Sequence, residues 1–261
     1  MIRLIVNGDD WGLCPQVNLG VIRAHREGIL TSTSLLANGA AWEQACQLSR
    51  IYPRLSVGLH LNLTWGVPVL PAAEVTSLVD QHGCFYSKWI FLRRALFGAV
   101  NAEDMAAEAQ AQLQRVQSTG VTLSHLDSHH HIHCLPMVGR LMAELAVQNG
   151  LPILRRFNGA ETGSSLQAKA AARLCRAGIR RSPLKERTHP VCRFFGYDLM
   201  LQCDKKAALA SILRRLPDDT IEAVGKTAER DHAYGHEFLL DLAIQTSLRD
   251  DCRIRVIEVL Q

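Results

Sequence analysis

The run His125-Leu126-Asp127-Ser128-His129-His130-His131-Ile132-His133 holds five of the chain's eleven histidines and a carboxylate. Imidazole is the commonest metal ligand among side chains, and in an extended run residues two apart share a face. His125, Asp127, His129, His131 and His133 are therefore expected on one side, with Ser128, His130 and Ile132 on the other. Such a face supplies one or two metal ligands together with the groups that orient them. An exposed histidine-rich loop is the bland alternative. An expression tag is not, because Val121-Thr122-Leu123 and Leu135-Pro136-Met137 frame the cluster within the chain. Two other places offer partners: the adjacent carboxylates Asp9 and Asp10, and His60. A carboxylate with two imidazoles leaves coordination positions open for water and substrate, as in catalytic zinc sites and the facial iron triad. A second carboxylate beside the first could take a proton from that water, so metal-assisted hydrolysis is the reaction class. Singly, these residues say little, since adjacent aspartates usually serve turns and helix caps.

The elements that must bring these groups together follow from hydrophobic periodicity. Leu4-Ile5-Val6 is a buried strand running into the polar turn Asn7-Gly8-Asp9-Asp10, and a helix spans 15–27. A second strand covers 29–36, a helix 41–51, and a third strand 55–63 ends in His60 and Asn62. Residues 66–100, with Pro68, Pro71 and Gly83, read as an irregular insertion suited to a lid or a dimer contact. An amphipathic helix over 102–118 and a strand over 121–126 lead to the histidine cluster, and a helix spans 136–148. Strands are expected at 152–156, 191–195, 220–224 and 254–259, with helices at 164–177, 205–215 and 236–248. This alternation, with no linker or internal repeat, predicts one α/β domain over 1–261 built on a mainly parallel sheet. Catalytic groups in such folds sit at the C-terminal ends of strands. Asp9, Asp10, His60 and His129 all fall there, so one rim collects residues far apart in sequence.

Composition bounds the rest. At 261 residues and 48% hydrophobic content the chain can bury a substantial core, and no apolar run reaches the roughly 18 residues of a membrane span. The first ten residues turn acidic too early for a signal peptide, so the cytoplasm is the expected compartment. Eight cysteines without a C-x-x-C pair argue against a structural zinc site or a disulfide framework. A net charge of +4 implies no nucleic acid.

In the segments Val6-Asn7-Gly8-Asp9-Asp10-Trp11-Gly12-Leu13, Gly28-Ile29-Leu30-Thr31-Ser32-Thr33, Gly58-Leu59-His60-Leu61-Asn62-Leu63-Thr64 and His125 through His133, the sequence resembles the ChbG/HpnK (YdjC-like) carbohydrate deacetylase family. The resemblance is dense over the first 160 residues. It implies a (β/α) barrel-like fold related to the distorted barrels of polysaccharide deacetylases, a homodimer, and removal of N-acetyl groups from a sugar or glycoconjugate. It also implies one divalent ion (Zn²⁺ or Mg²⁺, with Mn²⁺ and Fe²⁺ compatible) on Asp10, His60 and His129, and Asp9 as general base. Asn62, Asp127, His131, His133, Arg155 and Lys226 are the candidates for orienting ligands or touching substrate.

The C-terminal third departs from the family pattern. Lys226, in Gly225-Lys226-Thr227, stands where a His-Pro pair is usual. That departure means either a lysine doing related work on an altered substrate or weakened catalysis, the latter leaving a metal- or sugar-binding protein. A phosphate loop is excluded, because G-x-x-x-x-G-K-[ST] needs glycine where Thr220 stands. No G-x-S-x-G or H-E-x-x-H motif occurs, which removes serine-hydrolase and zincin chemistry. From Lys169 to Arg193, eight basic residues face one acid, Glu186. The run is either a solvated face or a patch for an anionic group, such as a phosphate on the substrate or a lipid surface. If it serves an anion, Arg180→Glu with Arg181→Glu should raise KM more than it lowers kcat, by less in high salt. Unchanged steady-state kinetics would identify a solvated face.

Overall fold

The computed structural model describes residues 2–151 and the strand segments 193–195, 220–226 and 254–256, with side chains over 4–151. Seven strands form a parallel sheet: β1 (Ile2–Trp11), β2 (Ser32–Leu35), β3 (Ser56–Leu61), β4 (Leu123–Ser128), β5 (Arg193–Phe195), β6 (Thr220–Lys226) and β7 (Ile254–Val256). Their order is β4-β3-β2-β1-β6-β5, and β7 pairs with β1. β6 lies along β1 from Arg3 to Asp9, whereas β7 meets only Ile2–Leu4 and β2 only Asn7 onward. A strand has two edges, so β7 and β2 share the second one in succession. This is the α/β, parallel architecture expected from the alternating pattern, in keeping with the barrel-like fold that the resemblance implies.

Five helices accompany the described strands: α1 (Pro15–Glu27), α2 (Trp42–Ile51), α3 (Lys88–Leu96), α4 (Ala102–Gln117) and α5 (Pro136–Gln148). β1 to β4 are buried on both faces, with Leu4, Val6, Leu35, Val57, Leu59 and Leu126 in the core, as strands covered by crossover helices require. α1 and α5 each begin with proline, whose fixed φ suits the first helical turn. The expected strands at 152–156 and helices at 164–177, 205–215 and 236–248 lie outside the described residues. Among the described residues, no helix is long and apolar enough to cross a membrane.

The 66–100 segment is more ordered than its prolines suggest. It carries α3, whose Phe91 is buried while Trp89, Leu96 and, just past its end, Phe97 are exposed. It is fastened to α4, the best-formed helix: Asn101 caps its first turn by accepting from Glu103 N at 2.7 Å. Met105, Glu108, Ala109, Gln112, Leu113 and Val116 form the buried stripe at helical spacing. Two of these are polar, and both are used. The Glu108 carboxylate accepts from Val69 N (2.8 Å), Leu70 N (3.0 Å) and Gln112 Nε2 (2.8 Å). Burial raises the Glu108 pKa, and these donors pull the other way. Glu108→Ala leaves the two backbone donors without their acceptor, and a loss of about 2–4 kcal/mol in unfolding free energy is expected by denaturant titration.

Candidate metal centre

Adjacent residues on a strand point to opposite faces, yet Asp9 and Asp10 both reach the same imidazole. The backbone explains this. Asp10 has a left-handed φ of 64°, and the β1–β2 register slips between Gly8 and Trp11, a bulge of the kind that re-aims a side chain. Aspartate tolerates that conformation better than most residues. The turn behind it is secured by Asn18 of α1, whose Oδ1 accepts from Gly12 N at 2.7 Å and whose Nδ2 donates to Ala41 O at 3.0 Å.

From β3 comes His60, buried to 1% exposure. Its Nδ1 is 2.6 Å from Asp127 Oδ1 on β4, and its Nε2 is 3.3 Å from Asp10 Oδ1. His129, just past β4, brings Nδ1 to 2.7 Å from the same Asp10 oxygen. Two imidazoles thus converge on one carboxylate oxygen, and ligand atoms of Asp10, His60 and His129 lie within 4.8 Å of one another. Asp9, His60 and Asp127 form a second such group. The first fits a divalent ion by its donor chemistry: one oxygen, two nitrogens, and a carboxylate, Asp127, on the far nitrogen of His60 to fix that ring. Burial works against a charged His60, but Asp127, Asp10 and Asp9 more than reverse this and raise its pKa to about 10.

Behind these groups runs a buried polar chain that the sequence pattern did not disclose. Asn7 Nδ2 donates to Asp9 Oδ1 and to Ser34 Oγ, both at 2.9 Å, and Asn7 Oδ1 accepts from Ser32 Oγ at 2.6 Å. Ser34 Oγ donates to Asp127 Oδ2 at 2.7 Å. Its single proton is thereby committed, so His125 Nε2, 3.3 Å away, must be the donor to Ser34. The His125 ring lies over Gly58, its partner in the β3–β4 register, where an added Cβ would come 2.2 Å from Nε2. Asp9, Asn7, Ser34, Asp127 and His60 are therefore one connected network. Asn7 and Asp9 share a strand face by period two, a signal the sequence did contain.

The alternating face expected from 125 to 133 stops at Ser128. His129–Cys134 is a tight 3₁₀ segment, and His130 and His131 take left-handed φ values of 54° and 56°. His130 consequently joins the site wall, its ring 3.9 Å from that of His129 and its Nδ1 3.0 Å from Thr64 Oγ1. His133 turns back to Ser128, with Nδ1 at 2.5 Å and backbone N at 3.1 Å from its Oγ. The His131 ring meets His133 edge-on at 6.1 Å. Asn62 spends its amide on Asn38 Oδ1, Trp65 O and Thr64 N, bracing the loop after β3. The Lys226 backbone is paired with Asp9 in the β1–β6 register. Arg155 and the basic run 169–193 lie largely outside the described residues.

A family model described as "YdjC-like protein" matches residues 3–251. The chain is 39% identical over 167 residues to a carbohydrate deacetylase of Halalkalibacterium halodurans, covering 63% of this chain and 68% of that one. It is 41% identical over 151 residues to a chitooligosaccharide deacetylase of Serratia marcescens, covering 58% of each. The chain thus spans less than two thirds of the Serratia relative's length. Among solved structures, an Enterococcus faecalis protein named for cellobiose-phosphate cleavage superposes with a TM-score of 0.76 at 26% identity, over 98% of this chain and 97% of that one.

The raised His60 pKa has a consequence for stability. A group held above its ordinary pKa contributes stability that is complete below about 6.5 and is lost as pH rises through its folded value near 10. Thermal melts in chelator from pH 6 to 10 should therefore decline, and His60→Gln should flatten that decline.

Proposed function

The chain belongs to the YdjC-like family, and from that membership and the site geometry we propose that it is a metal-dependent hydrolase removing the N-acetyl group from an amino sugar or a conjugate of one. The observation that carries this reading is the convergence of His60 Nε2 and His129 Nδ1 on Asp10 Oδ1, with Asp9 beside them. The named activities of the Halalkalibacterium and Serratia relatives supply the substrate class. Asp10, His60 and His129 would hold the ion. Positive charge is what a pocket of three buried carboxylates requires, and a divalent cation meets the need that the His60 imidazolium otherwise meets. When bound, such an ion polarises an acyl carbonyl and makes water more acidic.

The chain's own residues do the remaining work. Asp9 accepts the proton as water adds to the acetyl carbonyl, and Asn7 holds that carboxylate in place through Oδ1. Asp127 keeps His60 in the orientation that presents Nε2, and Ser34 in turn holds Asp127. The carbon–nitrogen bond then breaks, giving acetate and a free amine that takes up a proton. Lys226, whose backbone pairs with Asp9 in the β1–β6 register, is the candidate for meeting the substrate.

Metal content and turnover separate these roles. Asp10→Ala, His60→Ala and His129→Ala are expected to lose bound ion along with activity. Asp9→Asn keeps the shape but cannot accept a proton, so it should retain metal while acetate release falls by about 10²–10⁴-fold. Elemental analysis beside an acetate assay on N-acetylated sugars checks both. The reading fails if Asp9→Asn empties the site while Asp10→Asn leaves it filled.

A further inference from the structure

Beside the buried Asp/His centre stands an aromatic ring that nothing so far employs. Trp65 is 36% exposed, and its ring centroid lies 6.4 Å from that of His129. His129 in turn is 5.6 Å from His60 and is backed by His130. The four rings form one wall running from the buried centre to the surface. Val67, also exposed, extends its apolar character.

The ring is carried on a braced backbone. Trp65 O accepts from Asn62 Nδ2 at 2.8 Å and Asn38 Nδ2 at 3.2 Å, and Asn38 Nδ2 also reaches Val67 O at 2.8 Å. Gly66, at φ 71°, accepts from Phe85 N at 2.8 Å. Asn62 is itself held at both ends of its peptide by Gln112, at 3.1 and 2.6 Å. A large, partly exposed apolar ring on a stiffened loop beside a polar centre is a preorganised platform for something with an apolar face and polar edges. A pyranose ring matches that description. Its hydroxyls project round the rim, and its axial C–H bonds, polarised by neighbouring oxygens, lie against the electron-rich indole face.

Resting on the deacetylase reading above, we propose that Trp65 is a sugar-stacking platform that holds the N-acetylated pyranose so that its acetamido group points to Asp9, Asp10, His60 and His129. Trp65 is then a determinant of binding, and its loss acts on affinity. Because its polar anchoring runs through its backbone oxygen, changes to the ring leave the braces in place.

The test uses the metal-loaded protein with N,N′-diacetylchitobiose as probe, measuring binding by calorimetry, acetate release and metal content. Trp65→Ala should weaken binding and raise KM by about tenfold, with kcat within about twofold and metal content unchanged. Trp65→Phe should recover most of the affinity, and Trp65→Leu, apolar without a π face, should resemble Trp65→Ala. Equal affinity in wild type and Trp65→Ala overturns the platform while leaving the deacetylase reading intact. Binding that depends on Trp65 without acetate release keeps the platform and overturns the deacetylase reading. No binding and no turnover by the wild type overturns both.

Discussion

Three buried carboxylates, Asp9, Asp10 and Asp127, surround one imidazole, and the local structure is arranged around keeping them there. Like charges repel strongly where water is excluded, so the cluster stands only if positive charge lies among them and hydrogen-bond donors meet their remaining lone pairs. His60 supplies the first requirement when it is protonated. Asn7 and Ser34 supply the second, one donating to Asp9 and the other to Asp127, and the bond between them ties the two carboxylates into one unit. The left-handed Asp10 is where the backbone yields to this arrangement. A regular strand would send Asp9 or Asp10 to the opposite face.

The sheet makes the cluster available at a single rim. β1 is the element on which it is assembled: β6 follows one edge as far as Asp9, and β2 takes over the other from Asn7 onward. The polar residues fall at the C-terminal half of β1, at the end of β3 and just beyond β4, and the apolar residues Leu4, Val6, Val57 and Leu59 lie before them. Each strand thus divides into a part that packs and a part that carries chemistry.

Much of this was legible in the sequence, for physical reasons particular to each part. The helices at 15–27 and 102–118 declare themselves by their apolar periodicity. Asp9, Asp10, His60 and His129 could be placed on one rim because the alternating pattern dictates which strand ends meet. Beyond His129 the period-two reading failed, since nothing in a run of histidines announces the left-handed φ at His130 and His131 that turns the chain. Ser34 was hidden for a different reason: a polar residue inside a strand has the same sequence signature whether it faces solvent or a buried carboxylate. In 66–100, prolines suggested irregularity, whereas the fastening to α4 comes from Glu108, whose partners are backbone amides with no side-chain signature.

The polar rod from Glu108 through Gln112 and Asn62 to the Trp65 carbonyl bears on how a ligand would be received. A loop held by side-chain bonds in the folded chain has already lost the conformational freedom that an unbraced loop would lose on meeting its ligand. Recognition at that wall therefore resembles entry into a rigid mould more than closure of a hinge. A poorly shaped guest cannot be accommodated by loop rearrangement, so selectivity at that wall would come from fit at the first encounter.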